Sequence, residues 1–104
     1  PELVARARQL IASNTVEGYI ACADAMTRLN FMDRLHEINP RSLLICGAQD
    51  LGTPPAGMRE MAKRIPNATY VEIDPAGHLS NIENPVAFNA ALFPFLDSFD
   101  RPAR

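Results

Sequence analysis

Two side chains of this 104-residue sequence have the types and the setting for proton-transfer chemistry: Asp50, in CGAQDLGTPP, and His78, in PAGHLSNIENP. A carboxylate that accepts a hydrogen bond from one imidazole nitrogen fixes the tautomer. It also stabilises the imidazolium that forms when the other nitrogen takes a proton. Such a pair needs a nucleophile to deprotonate. The serines are Ser13, Ser42, Ser80 and Ser98, and none is bracketed by glycines as G-x-S-x-G, the strained strand-to-helix turn that exposes a reactive hydroxyl. Ser80, two residues past His78, reads as a local hydrogen-bond partner that holds the histidine loop. His36, between Leu35 and Glu37, reads as a solvated helix-end histidine, and Met58 and Met61 read as core. Glu72 and Asp74 are expected to face solvent or to support the His78 loop.

The elements that must position the pair follow from periodicity. Apolar residues at Leu3, Val4, Ala7, Leu10 and Ile11 have the spacing of an amphipathic helix over residues 2–13. A second helix is expected from Thr15 as N-cap to about Leu29, with Val16, Tyr19, Ile20, Ala23 and Met26 on one face. DRLHEI can hold one more turn before Pro40 stops it. SLLICG, residues 42–47, is a continuous apolar run of the kind found in parallel strands covered by helices. Thr53 and Pro54 read as N-cap and first residue of a helix striped by Met58, Met61, Ala62 and Ile65. ATYVEI, residues 68–73, is a second strand by composition. Asn84 and Pro85 open a last helix carrying Phe88, Leu92, Phe95, Leu96 and Phe99, with Pro94 expected to kink it.

The order is two or three helices followed by β-α-β-α, an α/β arrangement with two parallel strands and an incomplete sheet. Asp50 and His78 each follow a strand end. In an open parallel sheet those ends share one edge, where functional groups collect. Two strands leave sheet edges open and strand faces uncovered, so an upstream segment or another chain, including a further copy, is expected to complete the sheet.

Composition narrows the remaining classes. Hydrophobic content of 47%, charge of 21% and a net charge of −2 describe one small globular domain. They carry no electrostatic footprint for nucleic acid or an anionic membrane. No apolar run approaches a membrane span, and PELVARARQL places charges where the apolar part of a signal peptide would lie. A cytoplasmic location is therefore expected, with Cys22 and Cys46 as buried free thiols. No Cys/His cluster suggests a metal. The chain begins at Pro1 rather than Met, as expected of a piece of something longer.

SLLICGAQDLGTPP, IPNATYVEIDPAGHLSNIENP and FNAALFPFLDSF together resemble the C-terminal third of an α/β-hydrolase, and within that superfamily the 3-oxoadipate enol-lactonases (β-ketoadipate enol-lactone hydrolases). TVEGYIACADAM is similar to the end of that family's helical cap, so residues 1–40 correspond to cap and 41–104 to the C-terminal core. The resemblance implies a hydrolase of small lactones or esters in aromatic catabolism. Asp50 would be its triad acid, His78 its base, and the nucleophilic serine would lie upstream. It implies no metal or cofactor, and the 104 residues alone are expected to be inactive. Two other readings stay open: a hydrolase remnant serving as an assembly module, and a related esterase or haloperoxidase-like enzyme.

Overall fold

The computed structural model describes residues 1–100, which form two compact units, one through Phe31 and one from Met32 onward. The first unit consists of α1 (Glu2–Ala12) and α2 (Val16–Thr27). Thr15 caps α2 as its sequence suggests, its Oγ1 accepting the Gly18 N–H at 3.0 Å. That bond satisfies one of the amides that the first turn of a helix leaves without a partner. The large apolar residues of both helices, among them Leu10, Ile11, Val16 and Tyr19, are exposed. Cys22 is exposed with them, contrary to the burial expected from its apolar neighbours, because α2 buries no residue.

The second unit holds the sheet. A 3-10 helix (Met32–Glu37) leads into β1 (Ser42–Gly47), followed by α3 (Pro55–Arg64), β2 (Ala68–Ile73), a four-residue α4 (Ser80–Glu83) and α5 (Pro85–Asp100). β1 and β2 are parallel, pairing from Ser42 with Ala68 to Gly47 with Ile73. α3 is the crossover between them and packs on both strands and on the 3-10 helix. Its stripe of Met58, Met61 and Ala62, with the extended C-cap residue Ile65 that follows it, meets Leu35 and Leu44, which makes a small core with Met32, Ala68 and Tyr70 around it. The stripe is where helical periodicity placed it.

One helix boundary carries a correction and another stands as expected. α3 starts one residue later than Thr53 and Pro54 suggest: Pro54 is the N-cap, at φ −69° and ψ 156°, and Pro55 is the first helical residue. A proline disfavours helical geometry in the residue before it, so Pro55 holds Pro54 extended. Thr53 is then free to serve Asp50. At the other end, α5 opens at Pro85 with Asn84 Oδ1 accepting the Ala87 N–H at 3.2 Å, and it runs through Pro94 as one helix. Phe88, Leu92 and Phe95 are half-buried, whereas Leu96 and Phe99 are exposed. Arg41 stands 4.0 Å from the Phe99 ring and donates to Ser98 Oγ, which ties the end of this helix to the approach to β1.

Among the described residues the buried apolar side chains are Leu35, Leu44, Cys46, Ile65, Ile73 and Ala76. The sheet has two strands, as the sequence implies, and no described helix is long and apolar enough to cross a membrane. Its C-terminal edge is unusually close-packed at Gly47. A Cβ there would strike the carbonyl oxygen of Gly77 and come within 2.5 Å of that of Ala76. Those are backbone atoms of the loop that carries His78, so they cannot rotate away. Gly47→Ala is expected to destabilise the intact protein by about 1–3 kcal/mol, the usual range for overpacking. A chemical-denaturation midpoint no lower than that of the unsubstituted protein would contradict this close approach.

Candidate active site

The register of the strands puts their following loops at one edge, and direct hydrogen bonds lock the two loops together. Past β1, the Ala48 N–H donates to the Ile73 carbonyl and the Gln49 N–H to the Ala76 carbonyl, both at 2.9 Å. The Gln49 side chain adds two more links. Its Oε1 accepts the Ala76 N–H at 2.8 Å and its Nε2 donates to Asp74 Oδ1 at 2.9 Å. Asp74 thus supports the histidine loop, one of the two roles open to it from sequence.

Asp50 follows in a tight turn and is 6% exposed. Each of its carboxylate oxygens accepts two hydrogen bonds. Oδ1 takes the Gly52 N–H at 3.0 Å and the Thr53 N–H at 2.9 Å. Oδ2 takes the Thr53 hydroxyl at 2.9 Å and lies 2.9 Å from His78 Nδ1. The Thr53 oxygen is itself 3.3 Å from that nitrogen. These donors, the Thr53 N–H first and His78 second, outweigh the opposing effect of burial and hold the carboxyl at about 2. Asp50 is therefore an anion at neutral pH, able only to accept. The contact with His78 then requires the proton on Nδ1, which leaves the Nε2 lone pair as the proton acceptor.

The imidazole is open to its surroundings while its partner is not: the His78 side chain is 67% exposed and that of Asp50 5%. Behind the acid turn, Cys46 Sγ is 3.5 Å from the Thr53 carbonyl. Burial, and then the charge of Asp50, push the Cys46 thiol up, so it remains protonated and can donate to that carbonyl. An open cavity of about 450 Å³ borders the histidine loop at Gln49, Pro75, Ala76, Gly77 and Glu83. Gln49 Oε1 and Glu83 Oε2 are already engaged by loop amides there.

The other sequence candidates fall elsewhere. His36 is exposed on the 3-10 helix. Glu72 is solvent-exposed, one of the two placements expected for it, and accepts from Arg59 at 2.6 Å and from the Tyr70 hydroxyl at 2.8 Å. Ser13, Ser42 and Ser98 donate to nearby backbone carbonyls. Ser80, expected to hold the His78 loop, is buried at the start of α4. That task belongs to Glu83, whose Oε2 accepts the Gly77 N–H at 3.0 Å and the Leu79 N–H at 3.1 Å. A four-residue helix has too little periodicity to be read from sequence, so neither α4 nor the inward reach of Glu83 was evident. Thr53 is ambiguous for a related reason: a threonine before a proline signals a helix cap as readily as an aspartate partner. Among the described residues no group of three or more His, Cys, Asp or Glu could hold a metal ion.

The chain is similar to known proteins in sequence and in fold. The chain is 33% identical over 100 residues to 3-oxoadipate enol-lactonase 2 of Acinetobacter baylyi, a match that covers 96% of this chain and 37% of that protein. Its structure superposes on the enol-lactonase from Burkholderia xenovorans LB400 with a TM-score of 0.87 and 34% identity, covering 93% of this chain and 37% of that one. A hydrolase from Pseudomonas aeruginosa PA01 gives the same TM-score at 31% identity, covering 92% and 36%. The chain thus spans about a third of the length of these relatives. The sequence pattern of the alpha/beta hydrolase fold matches residues 3–85, and by that match the chain belongs to the alpha/beta hydrolase fold family.

Proposed function

We propose that this chain supplies the acid and base of a serine-type hydrolase acting on a small lactone or ester, with 3-oxoadipate enol-lactone as substrate and 3-oxoadipate as product. The observation that carries the reading is the 2.9 Å contact between buried, ionised Asp50 and the exposed His78 ring. In a full catalytic cycle the hydroxyl of an upstream serine attacks the lactone carbonyl and His78 Nε2 takes its proton. His78 then gives that proton to the departing enolate oxygen as the acyl–oxygen bond breaks, and the resulting enol tautomerises to the ketone. Water, deprotonated by His78, cleaves the acyl-serine and releases the carboxylate with the serine restored. Asp50 keeps Nδ1 protonated throughout and stabilises each imidazolium.

Residues 1–40 contribute the end of the cap in this reading. Upstream strands supply the nucleophile and complete the sheet beside β1 and β2. The names of the enol-lactonase relatives support the substrate, and the departing enolate makes a lactone of this type easier to open than an alkyl ester. Reaction proceeds without a metal or cofactor, because each proton moves between a side chain and the substrate or water.

Measured in the intact protein with an enol-lactone and a series of simple esters, His78→Ala is expected to lower kcat/KM by at least ~10²–10⁴, the usual weight of a general base. The 104-residue segment alone is expected to give no turnover above background. An unchanged kcat/KM in His78→Ala would end the hydrolase reading, and turnover of esters but not of the lactone would overturn the substrate.

Ionisation of Asp50 also predicts a pH dependence. Its folded pKa of about 2 lies below the ordinary aspartate value of 3.8, so its stabilising contribution is complete above that ordinary value. The contribution is lost as pH falls from there through about 2. Thermal midpoints recorded across this acid range should therefore fall less steeply in Asp50→Asn than in the unsubstituted protein. Parallel curves would contradict the hydrogen-bonded anion.

A further inference from the structure

Resting on the acid–base reading of His78, we infer that Glu83 is a positioning residue for that base: one carboxylate oxygen holds the two backbone amides on either side of the histidine. Oε2 accepts the Gly77 N–H at 3.0 Å and the Leu79 N–H at 3.1 Å. His78 lies between these anchor points. Its backbone cannot pivot about the chain axis without breaking one of the two bonds, and the Cα–Cβ direction that aims the ring turns with the backbone.

The loop has few other restraints. It follows β2 and precedes a helix of only four residues, so the strand ladder ends before it and α4 begins after it. The other side chains that anchor its backbone do so upstream of the histidine: Gln49 on the Ala76 N–H, and Asn84 Nδ2 donating to the Pro75 carbonyl at 3.3 Å. Glu83 alone among these side chains reaches both sides. Gly77 permits the approach, since a Cβ there would lie 3.2 Å from both carboxylate oxygens. The division of labour is then clear: Asp50 sets the tautomer and rotation of the ring, and Glu83 sets where the ring is attached.

The inference separates cleanly from a general stabilising role by comparing Glu83→Ala with Glu83→Gln in the intact protein. The glutamine carbonyl can accept both amides, whereas alanine accepts neither. Glu83→Ala is expected to lower kcat by about 10²-fold, the scale of an ångström-sized misplacement, with KM within about twofold. Glu83→Gln should restore kcat to within about threefold of the unsubstituted enzyme, following the acceptor oxygen it retains. Equal losses in the two variants, or an unchanged kcat in Glu83→Ala where His78→Ala is inactive, would overturn the inference. Amide hydrogen exchange of the unsubstituted protein gives a measure independent of activity and of whether either variant folds. Gly77 and Leu79 should be protected in it, and exchange at the rate of an unstructured peptide would overturn the clamp. Activity surviving in His78→Ala would instead remove the hydrolase reading and leave the exchange result to decide the clamp by itself.

Discussion

The parallel pairing of β1 with β2, in a register that sets Gly47 opposite Ile73, is the constraint from which the site follows. Parallel strands joined by a crossover helix end at the same edge, so residues far apart in sequence leave the sheet side by side. Here those residues begin the Asp50 turn and the His78 loop. The closeness of the two loops is enforced at Gly47, where the absence of a side chain lets the Ala76–Gly77 backbone settle directly against the strand end. A shift of register by one residue would both break this fit and carry Asp50 away from His78, because alternate residues face opposite sides of a sheet. Backbone geometry therefore brings the acid to the base before any side-chain bond forms.

Side-chain bonds then refine what the backbone brings together. Asp50 could have been a freely rotating carboxylate at a loop tip. Instead the Gly52 and Thr53 amides fix one oxygen and the Thr53 hydroxyl helps to fix the other, leaving Oδ2 facing His78 Nδ1. The same donors keep it charged despite its burial, the condition under which it can only accept and so must select the Nδ1–H tautomer. Position and protonation state have one physical origin. This is how a small buried group can control an exposed one, since the ring it governs keeps its other nitrogen available to a reacting partner.

The legible parts of the sequence were those written in long patterns. The strands, α3's buried stripe, the α2 cap at Thr15 and the start of α5 at Pro85 each involve a repeated spacing or a strong terminal signal. Asp50 and His78 could be paired because each follows a strand end, which topology alone brings together. What escaped notice was carried by short-range geometry. Thr53 offers the same local signal whether it caps a helix or binds an aspartate, and only the extended conformation of Pro54 decides between them. Glu83 reaches back from a single helical turn, and Cys22 lies in an apolar stretch whose burial depends on what packs against it. Those outcomes depend on three-dimensional neighbours that no period in the sequence encodes.

The distribution of apolar contacts explains why so much of the site's precision is polar. The described core is thin, with Leu35, Leu44 and Ile65 at its centre, and large side chains such as Phe93, Leu96 and Phe99 remain outside it. Beyond the close backbone approach at Gly47, side-chain packing adds little to holding the two loops, whose Leu51 is 95% exposed. Gln49, Asp50, Glu83 and Asn84 take over instead, each bonding to backbone amides or carbonyls within or between the loops. Such bonds are directional and act over a single residue, whereas hydrophobic contact is not directional. An acid–base pair needs its atoms placed to a fraction of an ångström, and directional local bonds can supply that placement even at the edge of a small sheet.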